Sequence, residues 1–373
     1  MKKKIAYISS EWFADTDLTV LSQLAVEYNV NWFYLVTDIN KPRFDIDEII
    51  NYSKERGINL IVIDTRHRKR LDPKGIKTCI RIAKLILEIK VDIIYKVAEG
   101  YWWQIAYFLY LRHIPIVYGL HDCIVHSGAK HRWIFQKQVD LVVRTNNNFI
   151  FFSEQQRQIF EERYGKGKNC TVVGMSVKDF GKSSVAPPLI KDGIKLLFFG
   201  QIHSYKGLDL LIEALEKAYS CGVNNIELSI YGKGDFWNSC KKLIKHSKIF
   251  NLHIRFINND EIPGIFASHH FLVLPYRDAT QSGPIMIAAN YGLPIFSTDL
   301  SSFRSVYDNS NSIMFDINEL LSSLISLSKI EQYHYNQLKT NATNLKNRFG
   351  EKVIAKNYIS FFNSLLQKHN TDN

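Results

Sequence analysis

Between Lys195 and Thr298 the chain runs repeatedly from apolar strand to glycine-bearing loop to helix, an order that fits layered α/β folds and few others. It opens on Leu196-Leu197-Phe198-Phe199-Gly200-Gln201-Ile202-His203-Ser204-Tyr205-Lys206-Gly207 and closes on Pro275-Tyr276-Arg277-Asp278-Ala279-Thr280-Gln281-Ser282-Gly283-Pro284. After Gly207, the residues Leu208, Leu211, Ile212 and Leu215 fall at helical spacing, so the first loop feeds an amphipathic helix. A loop entering a helix leaves backbone N–H groups without intrahelical acceptors, where the aligned peptide dipoles also favour negative charge; a phosphate can settle there. Lys206 adds a mobile cation. The alternative is an ordinary strand-to-helix turn whose glycines supply only tight geometry, and one such loop alone does not choose between the two.

The first 175 or so residues carry a second set of short apolar runs: Ile5–Ile8, Val30–Val36, Leu60–Ile63, Ile93–Tyr95, Ile114–Tyr118 and Phe149–Phe152. Most are separated by stretches long enough for a helix, which predicts a parallel sheet covered by helices. A length of 373 residues with 46% hydrophobic content suits two domains with a packed core each. Residues 176–193, with Gly181, Ser183, Ser184, Pro187, Pro188 and Gly193, read as a linker. The expected organisation is an N-terminal domain over 1–175, that linker, a C-terminal domain over 194–345, and a terminal helical segment over 346–373.

Met1-Lys2-Lys3-Lys4 is followed by only Ile5-Ala6-Tyr7-Ile8 before Ser9, too short for a signal peptide, and no run approaches the roughly eighteen apolar residues of a membrane span. The expectation is a cytoplasmic chain. Cys79, Cys123, Cys170, Cys221 and Cys240 are widely scattered, so neither a zinc site nor a disulfide framework is expected. Lysine and arginine number 47 against 36 aspartates and glutamates, a net charge of +11 that favours anionic partners without choosing among nucleotide phosphates, anionic lipid and nucleic acid. Basic and aromatic residues interleave over Gly128–Lys137, beside the aromatic stretch Tyr101–Phe108. Such a segment either lies in a membrane interface or buries its aromatics and solvates its lysines.

The C-terminal half resembles the donor-binding domain of family 4 glycosyltransferases of the GT-B fold, of the bacterial polysaccharide or glycolipid type. The matching marks are Gly200 through Lys206-Gly207, Ile230-Tyr231-Gly232-Lys233-Gly234, Phe271–Tyr276, Gln281-Ser282-Gly283-Pro284 and Tyr291-Gly292-Leu293-Pro294-Ile295, in order over about a hundred residues. The resemblance implies two Rossmann-like domains facing each other across a cleft, with the terminal helix crossing back to the first domain. It implies Gly200, His203, Lys206, Gly232, Thr280, Gln281, Ser282 and Gly283 as donor-binding residues. His121-Asp122 follows the strand Ile114–Tyr118, at the carboxyl edge where open α/β sheets place ligands. The residues themselves allow a proton-handling couple or a hydrogen-bonded loop pair; the resemblance implies His121 as a sugar contact and Asp122 as its orienting partner. Ser153-Glu154 resembles a family turn, and Ser153 equally suits a helix N-cap.

Two departures qualify the match. Where many members carry an arginine at or near the position after the first glycine, this chain has Gln201, leaving Lys206, with help from His203, to supply positive charge. Where many carry two glutamates eight positions apart, this chain has Ala279 and Ile287, which leaves ribose recognition without its expected carboxylate. The resulting expectation is a retaining glycosyltransferase that moves a sugar from a nucleotide diphosphate sugar to a hydroxyl of a glycan or lipid-linked glycan, with peripheral contact at the inner membrane face and no nucleic-acid partner. No metal and no cofactor is expected. The alternatives are a non-catalytic sugar-nucleotide or glycan-binding protein with the GT-B fold and, on charge alone, a nucleic-acid-binding protein, which would need a module the chain lacks.

Overall fold

The computed structural model describes residues 2–65, 74–97, 101–121, 123, 132–279 and 282–371. The chain divides into two compact units, Met1–Ser176 with Glu351–Asn373, and Val177–Gly350.

The first unit is built on seven parallel strands: β1 (Lys4–Ser10), β2 (Asn29–Val36), β3 (Asn59–Asp64), β4 (Ile93–Lys96), β5 (Ile116–Leu120), β6 (Asn148–Phe151) and β7 (Asn169–Val172), in the order β3-β2-β1-β4-β5-β6-β7. The near-continuous apolar runs follow from burial on both faces. Ala6 and Ile8 point into a core with Ile82 and Ile86 of the Lys74–Ile89 helix and Val139 and Val142 of the Arg132–Thr145 helix. Tyr7, on the opposite face of β1, donates its hydroxyl hydrogen bond to Asp17 at 2.7 Å in the Ala14–Glu27 helix. The Glu351–Thr371 helix covers that same face: Tyr358 meets the Tyr95 ring edge-on at 5.6 Å, and Tyr28 donates to Asn363 Oδ1 at 2.8 Å.

The second unit holds six parallel strands, β8 (Ile194–Phe199), β9 (Ile226–Tyr231), β10 (Phe250–His253), β11 (Phe271–Leu274), β12 (Ile295–Thr298) and β13 (Ser312–Phe315), in the order β10-β9-β8-β11-β12-β13. From β8 the chain builds outward through β9 and β10, then returns to the other side of β8 for β11 to β13. The sheet's direction of growth therefore reverses between β8 and β11, and a crevice opens beyond the carboxyl ends of such a strand pair. The Leu208–Ser220 helix buries Leu208, Leu211, Ile212 and Leu215, each contributing about 1.5–3 kcal/mol.

Cys79, Cys123 and Cys240 are buried, while Cys221 is exposed. Among the described residues no helix is long and apolar enough to cross a membrane. Of residues 176–193, read from composition as a linker, Ser176 ends the first unit and 177–193 belong to the second and are tied onto it. Lys178 N donates to Met286 O at 3.2 Å, Phe180 N to the Tyr291 hydroxyl at 3.0 Å, and His270 Nε2 to Pro188 O at 2.8 Å.

Candidate functional site

Three loops meet at the carboxyl edge of the second sheet, following β8, β9 and β11. Their backbones touch at glycines. A Cβ on Gly232 would lie 1.8 Å from the Gly200 carbonyl oxygen, and one on Gly207 would lie 1.9 Å from that of Pro275. Only residues without a side chain let the β9 and β11 loops close on the β8 loop. The same contacts are stitched by Gly200 N to Tyr231 O at 2.9 Å, Ile202 N to Lys233 O at 3.0 Å and Arg277 N to Tyr205 O at 2.7 Å. Arg277 then grips Asp209 with two hydrogen bonds of 2.9 and 2.7 Å and Ser204 O with another, so its charge is committed to holding the β11 loop against the β8 loop.

Lys206 closes a short turn, Ser204–Lys206, before the left-handed Gly207. Its side chain folds inward and is only 7% exposed. The ammonium sits 5.5 Å above the Tyr276 ring and 3.3 Å from where a Cβ on Gly200 would stand, with Pro284 Cγ 3.8 Å from the same point. It therefore lies at the start of the Gly283–Asn290 helix. Among the described residues no carboxylate and no hydrogen-bond acceptor reaches it, and burial pushes it below the ordinary lysine value. A buried cation beside the positive end of a helix is unfavourable unless an anion joins it.

Ser282 is the N-cap of that helix in extended conformation, Gly283 its first residue, and Pro284 follows where a missing N–H costs nothing. Beneath it Tyr276 is buried, which pushes its hydroxyl up, with the Ser282 side chain as its neighbour. His203 is anchored through Nε2 to Gln201 Oε1 at 2.8 Å and stacks on Tyr205 with centroids 5.8 Å apart. Gly200, His203, Lys206, Gly232, Ser282 and Gly283 thus converge on one sheet edge; Thr280 and Gln281 lie outside the described residues. Ala279 and Ile287 are buried side chains with no hydrogen-bonding atoms, so neither offers a polar group to this edge.

Lys178 escaped the sequence reading. Its Nζ is 3.6 Å from the Cβ position of Gly283, and its side chain is 7% exposed. Nothing within residues 176–193 marks it out, because its place is set by a backbone bond to Met286.

In the first unit His121 directly follows β5, at the carboxyl edge, between the rings of Phe13 and Phe152, each 5.9 Å away. Phe13 belongs to the loop after β1, and β1 and β4 are the pair where this sheet reverses its order. Asp122 lies outside the described residues, as do 66–73 and 128–131. Ser153 caps the Glu154–Tyr164 helix, accepting from Gln156 N at 3.3 Å, which is the local role its residue type suits. Of the aromatic segments, Trp103 is core, whereas Trp133 is 64% exposed with the Lys137 ammonium 5.2 Å from its ring.

A separate cavity of about 430 Å³ lies at the other end of the Gly283–Asn290 helix, lined by Asp179, Phe266, His269, Tyr291, Lys339 and Lys346. Leu293, which leads into β12, also lines it, so it opens on the opposite edge of the sheet from the glycine loops. Among the described residues no group of three or more His, Cys, Asp or Glu could hold a metal ion.

Residues 193–329 match the family model "Glycosyl transferases group 1". No curated protein gives a significant match by sequence. Among solved structures, a glycosyltransferase from Rickettsia africae ESF-5 superposes with a TM-score of 0.73 at 14% identity, covering 98% of this chain and 99% of that one. Anabaena HepE in complex with UDP and glucose gives 0.72 at 15%, covering 97% and 100%. The lipopolysaccharide outer core galactosyltransferase WaaB gives 0.66 at 14%, covering 97% and 99%. Such identities speak to the fold, which is GT-B, and activity must be argued from the site. The matched group 1 domain on a GT-B frame supports a glycosyltransferase.

Proposed function

We propose that the protein transfers a sugar from a nucleoside diphosphate sugar to a hydroxyl of a glycan or lipid-linked glycan, with retention at the anomeric carbon. The observation that carries the donor site is the buried Lys206 ammonium, which no carboxylate among the described residues reaches, at the start of the Gly283–Asn290 helix. In the reaction the bond from the anomeric carbon to the diphosphate oxygen breaks, the acceptor oxygen bonds to that carbon, and the acceptor proton leaves with the diphosphate. Lys206 and the helix-start N–H groups would stabilise the charge that develops on the departing diphosphate, where fixed donors act most strongly. His121, with Asp122 orienting it, is proposed to contact the sugar; Thr280 and Gln281 are proposed donor contacts. The chemistry needs no metal. HepE, solved with UDP and glucose, supports a nucleotide sugar as the donor class.

Assembly of surface polysaccharide or glycolipid is the proposed setting, with the chain cytoplasmic and peripheral on the membrane. Exposed Trp133 under Lys137 supports that contact, since an aromatic paired with a cation suits an anionic lipid interface.

A second reading, a nucleotide-sugar or glycan-binding protein without catalysis, is favoured by Ala279 and Ile287, which cannot hydrogen-bond a sugar or ribose. The test is a thermal-shift panel of UDP, GDP, ADP, CMP and their common sugars without metal, followed by a transfer and hydrolysis assay with the nucleotide that stabilises most. Stabilisation that Lys206→Ala abolishes, with turnover whose product keeps the donor's anomeric configuration by NMR, supports the enzyme. Stabilisation without turnover selects the nucleotide-sugar-binding protein, and no stabilisation by any nucleotide overturns the donor site and selects a glycan-binding role without catalysis.

A further inference from the structure

We propose that the cavity at the C-terminal end of the Gly283–Asn290 helix binds a hydroxylated organic anion of the sugar-phosphate class, with the Lys339 ammonium against the anion. The proposal goes beyond the donor reading and does not depend on it. The cavity opens on the opposite edge of the sheet from Lys206 and the glycine loops.

The charge in the cavity favours an anion. Lys339 lines it from the Gln332–Thr343 helix and is half-buried. Among the described residues no carboxylate and no hydrogen-bond acceptor reaches its ammonium, and burial holds it below the ordinary lysine value. Asp179, the one carboxylate among the described lining residues, is engaged by Lys346 at 3.2 Å and by Gly181 N at 2.9 Å. The carbonyls that end the Gly283–Asn290 helix are engaged as well, Ile287 O by Tyr291 N at 3.2 Å and Ala288 O by Leu293 N at 2.9 Å. A cation partly withdrawn from water, with no opposite charge beside it, is stabilised by an anion.

The neutral groups in the lining favour hydroxyls on that anion. His269 donates through Nδ1 to Ile265 O at 2.6 Å, so its neutral ring leaves Nε2 as an acceptor, which no described donor bonds. Asn290 has a buried Oδ1 that likewise lacks a donor. Two acceptors without donors and a cation without an anion are satisfied together by a molecule bearing both hydroxyls and negative charge. The volume of about 430 Å³ leaves room for more than inorganic phosphate and falls among small-molecule sites of roughly 300–1,000 Å³. Val185 and Pro187 add apolar surface suited to the carbon face of a sugar ring.

The wall that carries these two residues is fixed in place. The Tyr291 hydroxyl accepts from Phe180 N at 3.0 Å and donates to Gly181 O at 3.1 Å, and His270 Nε2 donates to Pro188 O at 2.8 Å. The segment 181–187 is thereby tied down at both ends. A wall set in advance leaves less to order when a ligand enters.

The test titrates glucose 1-phosphate, glucose 6-phosphate, glucose and inorganic phosphate by calorimetry into the native chain, Lys339→Met and Lys206→Met. At least one sugar phosphate should bind tenfold or more tightly than both glucose and phosphate. Lys339→Met should lose tenfold or more of that affinity, as expected for a charge-assisted contact, and Lys206→Met should keep it. Should Lys339→Met not fold, Lys339→Gln replaces it under the same criteria. Failure to bind either sugar phosphate, or phosphate binding as tightly as both, overturns the proposal, and so does a loss below tenfold in Lys339→Met. A loss in Lys206→Met that equals or exceeds the loss in Lys339→Met also overturns it, by placing the sugar phosphate among the glycine loops instead.

Discussion

The carbonyl oxygen of Pro275 occupies the place where Gly207 would carry a side chain, 1.9 Å from an ideal Cβ. Gly207 also has φ +66°, a conformation that costs a side-chain-bearing residue about 1–2 kcal/mol. Gly222 in the same unit has φ +92° with nothing within 4 Å of its Cβ position. Gly222→Ala should therefore cost about 1–2 kcal/mol, and Gly207→Ala more than twice that, because the β8 and β11 loops must part as well. Urea unfolding of the two variants checks this. Equal losses would mean that the close approach relaxes freely and that the loops are not rigidly joined.

The Arg277–Asp209 grip makes a different claim about the same loops. Both side chains are partly exposed, so the pair should be worth no more than about 1 kcal/mol to global stability despite its two-pronged geometry. Its larger effect should fall on the site. Arg277→Ala and Asp209→Ala should each weaken nucleoside diphosphate binding several-fold, and the double variant should be no weaker than either single one. A double-mutant cycle on the dissociation constant measures this; additive losses would show that Arg277 acts on the ligand directly rather than through Asp209.

What could be read in the sequence follows from how local each cause is. The runs that became β1, β2, β4 to β6, β8 and β11 are buried on both faces, and continuous apolar residues record that directly; β3, half-buried at the sheet edge, still carries the apolar run Leu60–Ile63. β7 (Asn169–Val172) escapes because an edge strand of four half-buried residues has no such signature, and β10 because its polar Asn251 and His253 interrupt the run. The glycine loops were legible because φ and close approach demand particular residues at particular places. Lys178 was not, since its neighbour Gly283 is more than a hundred residues away, with a backbone bond to Met286 beside it. The exposure of Trp133 was equally hidden, because the spacing of Arg132–Thr145 allows either face to be buried.

His269 sets an acid limit on the second unit. Burial lowers its pKa to about 4, against the hydrogen bond that Nδ1 donates to Ile265 O at 2.6 Å, which favours the protonated ring. Between that value and the ordinary one near 6.5, the unfolded chain binds a proton that the folded chain refuses, so stability rises with pH across this window and is lost on acidification. The loss from pH 7 to 4 should be on the order of 3 kcal/mol from this residue, with His270, also lowered by burial, adding to it. His269→Gln should flatten the slope of unfolding free energy against pH between 4 and 6.5. A slope unchanged in that variant would move the acid sensitivity to other groups.

Lys206 should make nucleotide binding depend on pH at the alkaline end. Burial holds its folded pKa below the ordinary value near 10.5, so as pH rises the free site loses its proton before a solvated lysine would. A bound diphosphate favours the ammonium and raises that pKa, so binding must take up protons, and affinity must fall as pH climbs through the lowered value. Arginine stays charged throughout, so Lys206→Arg should bind with little change across the same range. Calorimetry in two buffers of different ionisation enthalpy, at pH 8 and 9.5, measures the proton uptake directly. Uptake that appears in the native chain and vanishes in Lys206→Arg places the anion against this ammonium; uptake that persists in the variant would assign it to another group, and the buried lysine would then be an element of packing alone.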